Sequence, residues 1–154
     1  GPDAANWSAR CGTVAAGGMV QTGEREMSLY RNDHYGSPSV HLRRFSMRLD
    51  GFVSVHAGYH GGRIVTHPLQ LDGDRLELNY ETSAAGQVRV ELQDADGTPL
   101  PGYSMDECTT LIGDEIARPV TWNEHDTLGD AVDRSVRLVL ELQDADVYAF
   151  RTPR

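Results

Sequence analysis

Four stretches of this chain alternate apolar and polar residues, and a period of two is the signature of extended backbone. In "RFSMRL" Phe45, Met47 and Leu49 share one side, with Arg44, Ser46 and Arg48 on the other. "RLELNY" gives Leu76, Leu78 and Tyr80; "VRVEL" gives Val88, Val90 and Leu92; "VRLVLEL" gives Val136, Leu138, Leu140 and Leu142. Successive side chains of a strand point to opposite faces, so each set forms the apolar side of a half-buried strand. Shorter candidates are "GGMVQ", "EMSLY", "FVSV", "RIVTHPL", "PVTW" and "VYAFR". Between the candidates lie turn signals: Asp50-Gly51, Gly61-Gly62, Asp72-Gly73-Asp74, Ala85-Gly86 and Asp96-Gly97. About ten short strands with such punctuation predict an all-β, two-sheet antiparallel β-sandwich of jelly-roll-like form. Helix is scarce. Glu124–Asp133 can hold one turn capped by Asp126 or Thr127, interrupted by Gly129, and "SMDECTTLIGDE" can hold another.

The 154 residues fit one domain. Gly1-Pro2 reads as a tag remnant and residues 1–18 as an extension, which leaves 19–154 as a single sandwich. With 23 acidic against 14 basic residues the net charge is −9, a field that repels phosphate backbones and argues against nucleic acid as a partner. Arg43, Arg44 and Arg48 form the densest basic spot, and on a strand Arg43 faces away from the other two. No apolar run approaches the ~20 residues of a membrane-spanning helix. Neither a CxxC, an HExxH nor a GxxxxGK[ST] motif occurs, which removes the usual zinc and P-loop chemistry. Cys11 and Cys108 are the two cysteines, and nothing in their spacing fixes whether they pair.

The six-residue string "ELQDAD" occurs twice, at 91–96 and 141–146. Aligned, the copies set Val88, Val90 and Leu92 beside Leu138, Leu140 and Leu142, all inward, with Gln93 and Gln143 outward. The aspartates then fall where each strand ends, and Asp favours turns because its side chain bonds backbone N–H groups two residues on. Calcium is the competing reading. It needs six to eight oxygens, which Asp94, Asp96, Asp144 and Asp146 could supply in part if two strand ends converged. Turn chemistry is the reading preferred here, so no cofactor is expected unless that convergence brings in calcium.

Chemistry-bearing candidates are sparse. Asp114-Glu115 stands before an apolar strand, as a glycosidase carboxylate pair or as a solvated turn. His56 and His60 flank "AGY" in an expected loop, off any helix face that would hold a metal. No Gly-x-Ser-x-Gly elbow is present, and no catalytic residue is assigned. The most site-like stretches are "YRNDHYGSPS" and "HAGYHGG", which mix aromatic, imidazole and small residues between strands. Sugars stack on aromatic faces and bond to polar groups around them, so His34, Tyr35, Tyr59 and His60 are carbohydrate-binding candidates. Packing of Tyr30 and Tyr35 under their own loop is the plainer alternative. Trp122 is a further candidate, either as a stacking surface or as a plug at the sandwich rim; Trp7 lies in the N-terminal segment.

"MRLDGFVSVHAG", "LNYETSAAGQVRVELQDADGTPLPGYSMDEC", "LIGDEIARPVTW" and "VRLVLELQDADVYAF", in this order and spacing, resemble the C-terminal region of bacterial proteins similar to five-bladed-propeller glycoside hydrolases of the fructan- and arabinan-cleaving type. The resemblance spans about Met19 to Phe150, with 19–44 resembling closing strands of a propeller and the sandwich starting near Phe45 or Gly51. It implies a non-catalytic accessory sandwich, whose partners are carbohydrate, a catalytic propeller, or a second copy of itself. Catalytic acids of such enzymes lie in the propeller, and none is carried over to this chain. A secreted or periplasmic location goes with that role. The alternatives are a structural or dimerising sandwich that packs on a propeller, and a small hydrolase built on Asp114, Glu115 or a histidine pair.

Overall fold

A computed structural model describes residues 3–6, 14–123 and 125–154. The chain is all-β, and its described residues form two antiparallel sheets and two short 3-10 turns, Ala4–Asn6 and Gly129–Ala131. Among the described residues nine strands are present where about ten are expected: β1 (Val14–Gln21), β2 (Glu26–Asp33), β3 (His41–Arg48), β4 (Val55–Ala57), β5 (Gly62–Val65), β6 (Leu69–Gln70), β7 (Glu77–Gln93), β8 (Asp114–Pro119) and β9 (Ser135–Arg151). Where a single domain over 19–154 is expected, the chain forms two compact units, Gly1–Gly51 and Phe52–Arg154. Trp7, Cys11 and the pairing of Cys11 with Cys108 fall outside the described residues, as does the Gly1-Pro2 remnant.

The N-terminal unit is the three-stranded meander β1-β2-β3. Asp33 has no exposed side-chain surface. Arg31 Nε donates to its Oδ1 at 2.7 Å, and Arg43 Nε faces Oδ2 at 3.0 Å as an ion pair whose N–H is not aimed along a hydrogen bond. Burial pushes the Asp33 carboxyl up, and the two guanidinium groups outweigh it and hold it below the ordinary carboxylate range. The apolar set expected inward here is only partly so. Phe45 is 38% exposed and Met47 and Leu49 are half-buried. Arg31 lies 4.5 Å from the Phe45 ring centroid, so a cation rather than apolar packing covers part of that ring.

The second unit is built on two 17-residue strands, β7 and β9, which pair antiparallel along their length. β4, β5 and β6 each pair with a different stretch of β9, while β8 pairs with β7. Here the expected inward sets hold: Leu76, Leu78, Val88, Val90, Leu92, Val136 and Leu138 have at most 1% exposure. They join Tyr80, Leu111, Val120, Trp122 and Leu128 in one core. At about 25 cal/mol per Å² of apolar surface removed from water, that core is the dominant source of this unit's stability.

Two expected turns are instead bulges inside unbroken strands. "RLELNY" and "VRVEL" fuse into β7; "VRLVLEL" and "VYAFR" fuse into β9. The register slips between Thr82 and Gln87, opposite Gln143 to Ala145, and Asp144 takes a left-handed φ of 44°. Gly86 sits at the closest approach. A Cβ there would lie 2.2 Å from the Asp144 carbonyl oxygen, so only glycine lets the bulged strands come together. The expected helical turn in Glu124–Asp133 shrinks to Gly129–Ala131, with Leu128 at its cap and no side-chain capping bond.

Candidate functional site

The outward face of the β7–β9 pair, opposite the core, carries a row of planar polar groups. Register sets Gln87 across from Gln143 and Arg89 across from Glu141, the arrangement in which cross-strand side chains touch. Gln87 Nε2 donates to Gln143 Oε1 at 3.3 Å, and Arg89 Nη2 donates to Glu141 Oε2 at 3.0 Å. β5 adds Arg63 beside Glu141, with its Nη2 3.7 Å from Glu91 Oε1. The turn before β5 supplies His60 and Gly61, and β5 itself opens on Gly62. Together these residues line a groove of about 470 Å³, within the range of small-ligand sites.

The turn is fixed by close packing. Gly61 adopts φ 75° with a hypothetical Cβ 3.1 Å from the Leu142 carbonyl oxygen, and its N–H donates to Gly58 O at 2.9 Å. Gln143 Nε2 donates to the Tyr59 carbonyl at 3.2 Å, which ties the turn to the groove. The Tyr59 side chain is left 70% exposed, its ring edge-on to His60 at 6.1 Å between centroids.

A neighbouring recess of about 320 Å³ lies across the bulge, where β4 and β8 flank the same strand pair, lined by His56, Glu81, Thr82, Ser83, Asp114, Asp144 and Asp146. Asp146 accepts from Ser54 Oγ at 2.6 Å and lies 3.0 Å from His56 Nδ1. Burial pushes its carboxyl up, but the hydroxyl and imidazole outweigh that and hold it below the ordinary range.

Of the residues expected to bind carbohydrate, Tyr59 and His60 stand together beside the groove. His34 and Tyr35 belong to the N-terminal unit. The His34 ring is held at both nitrogens, Nε2 2.7 Å from Asp3 Oδ2 and Nδ1 2.8 Å from Ser39 Oγ, and its N–H donates to Asn6 Oδ1 at 2.8 Å. Those bonds fasten a loop in which His34 itself sits at φ 57°. Tyr35 in that loop is 53% exposed. Trp122 is corrected outright. It has no exposed surface, its Nε1 donates to Val90 O at 2.9 Å, and Tyr103 packs edge-on at 5.2 Å. A ring with no free face cannot stack on a sugar; it is a core residue with its one polar atom satisfied.

The four calcium candidates do not converge. Antiparallel pairing sets Gln93 against Arg137, so Asp94 and Asp96 leave the sheet beside the start of β9. From there to Asp144 the strand covers roughly 25 Å at about 3.3 Å per residue. Asp94 Oδ1 instead accepts from Asp96 N at 3.0 Å and Thr98 N at 2.9 Å, the turn chemistry expected of it. Asp144 and Asp146 line the acidic recess without ending a strand. Among the described residues no group of three or more His, Cys, Asp or Glu is placed to hold a metal ion. Asp114 opens β8 opposite Glu81, and Glu115 lies opposite Tyr80, so neither is in the solvated turn weighed for them.

Arg63, Gln87, Arg89, Glu141 and Gln143 were not expected as site residues, although Glu141 and Gln143 lie in the repeat and Gln143 was read as outward. Their signal was the polar half of two alternating strands, legible only once the register shows that the two halves face each other. No protein-family model, no curated protein and no solved structure matches this chain. The fold and groove together define an all-β chain of two antiparallel sheets whose six-stranded unit presents a polar groove. Among the described residues no helix is long and apolar enough to cross a membrane.

Proposed function

We propose that the unit Phe52–Arg154 is a non-catalytic carbohydrate-binding accessory module of a glycan-degrading protein. One observation carries the reading: a groove lined by Arg63, Gln87, Arg89, Glu141 and Gln143 runs beside a largely exposed tyrosine, Tyr59. A hydroxyl both donates and accepts, and this groove offers guanidinium donors, a carboxylate acceptor and amides that do both. The ring adds apolar surface for the C–H face of a pyranose or furanose. The site is open and polar, which goes with weak binding of a polymer rather than tight capture of a small molecule.

Affinity electrophoresis against a panel of polysaccharides tests this. The protein is expected to be retarded by at least one, and Tyr59→Ala and Arg89→Ala are each expected to remove that retardation while the thermal midpoint stays near the wild-type value. Free migration through every gel refutes the proposal. A second reading, a structural or dimerising domain, is favoured by Phe52 and Val53, which are 62% and 77% exposed at the start of the unit. Sedimentation separates the two: concentration-dependent association that Phe52→Asp abolishes supports the scaffold.

A further inference from the structure

The charge arrangement around the groove bears on which glycans it takes. The lining holds two guanidinium groups, Arg63 and Arg89, against one carboxylate, Glu141. Arg89 is already paired with Glu141 at 3.0 Å, and Arg63 faces Glu91 at 3.7 Å. Neither is an isolated cation waiting for an anion. Across the bulge, Glu81 of β7, Asp144 and Asp146 of β9 and Asp114 of β8 line one recess together with His56 of β4. Asp146 is held ionised by Ser54 and His56, and the chain as a whole carries −9. The groove and the acidic recess lie end to end along β7 and β9: Gln87 and Arg89 are followed across the bulge by Thr82 and Glu81, and Glu141 and Gln143 by Asp144 and Asp146.

We infer that this groove is selective for uncharged glycans, with the acidic recess acting as an electrostatic barrier against uronate- or sulfate-bearing chains. The inference rests on the carbohydrate-binding reading and extends it to substrate class. A polymer long enough to fill the groove and continue along the strands must pass the recess. Hydroxyls carry no charge and pass the recess without repulsion. A carboxylate or sulfate offers only acceptors, meets carboxylates that also only accept, and brings like charge within the Debye length of about 10 Å at 0.1 M salt. In the groove itself an anionic group gains Arg63 only by competing with Glu91 and facing Glu141.

The test uses one polymer in two charge states. The best-retained polysaccharide of the panel is oxidised at its primary hydroxyls to carboxylates, and retardation is compared at low salt and at about 0.5 M salt, where screening is nearly complete at these distances. The inference expects the panel's best ligand to be neutral and its oxidised form to bind at least about tenfold more weakly, a gap of about 1.4 kcal/mol, at low salt. Salt is expected to narrow the gap. The double variant Glu81→Gln/Asp114→Asn is expected to bind the parent polymer as wild type does and to recover most of the affinity for the oxidised one. A best ligand that is itself acidic, an oxidised polymer bound as well as its parent, or a gap that neither salt nor the double variant narrows overturns the inference while leaving carbohydrate binding intact. Retardation by no glycan at all overturns the carbohydrate-binding reading, and the inference with it.

Discussion

In the first copy of Glu-Leu-Gln-Asp-Ala-Asp the chain leaves its sheet; in the second it stays. One copy lies on each of two paired strands, led in by Val88, Val90 and Leu92 on β7 and by Leu138, Leu140 and Leu142 on β9, all inward. After Gln93 the backbone turns, and Asp94 holds the turn by accepting from two N–H groups. After Gln143 the backbone swells into a bulge at Asp144, slips once more opposite Asn79 and Tyr80, and continues to Arg151. The partner strand makes the difference. Opposite the second copy lies the Thr82–Gln87 slip, where Gly86 lets the two backbones close to contact. Next to the first copy the chain folds back instead, with Gln93 bridging to Pro99. Six identical residues therefore do not fix a local structure; the strand alongside chooses between turn and bulge.

The comparison can be broken most severely at Gly86. Gly86→Ala is expected to cost about 3 kcal/mol or more, since the new methyl has to displace backbone rather than a flexible side chain. Chemical denaturation measures it, and a wild-type midpoint would mean that the bulge is not held by this contact. The Asp residues leading the two Asp-Ala-Asp segments then separate the copies by sign. Asp94→Ala removes an acceptor serving two backbone N–H groups and is expected to destabilise by about 1 kcal/mol. Asp144→Gly relieves a left-handed residue and is expected to stabilise by a few tenths of a kcal/mol up to about 1. Equal effects at the two positions would mean that the copies are structurally equivalent after all.

The smallest effect concerns the trailing Asp of the second copy. The Asp146 carboxyl is lowered in the folded state, so its contribution is complete above the unfolded carboxylate value of about 3.9 and is lost as pH falls through the lower folded value. Asp146→Asn is expected to cost less than about 1 kcal/mol near neutral pH, because the pair is partly solvated. That cost should begin to shrink in thermal melts as pH falls below about 3.9 and vanish only once pH is below the lower folded value. A gap that persists in acid would assign the loss to packing rather than to the charge.

Much of the second unit was legible from its letters. Leu76, Leu78, Val88, Val90, Leu92, Val136 and Leu138 were read as inward and are buried, because strict alternation beside a large core leaves no other arrangement. The same rule was weaker for Phe45, Met47 and Leu49, in a three-stranded unit where a guanidinium covers part of the Phe45 ring. Of the site, the turn bearing Tyr59 and His60 was visible as an unusual cluster between strands. Trp122 looked equally suitable, and its full burial came from packing with Tyr103 and a bond to the Val90 carbonyl, partners remote in sequence. The groove itself was invisible. Arg89 lies in no motif and Glu141 only in the repeat, and only the register of two strands about fifty residues apart sets one against the other.

By itself the sequence determined that the chain is extended, which side of each long strand faces the core, and that its field is acidic. These follow from alternation and charge count, which are local or additive. Tertiary structure decided whether Ala85-Gly86 and Asp144-Ala145-Asp146 end strands or bend them, and which outward polar residues share a groove. Those outcomes depend on which backbone lies alongside, and pairing between distant segments is not written in either segment alone.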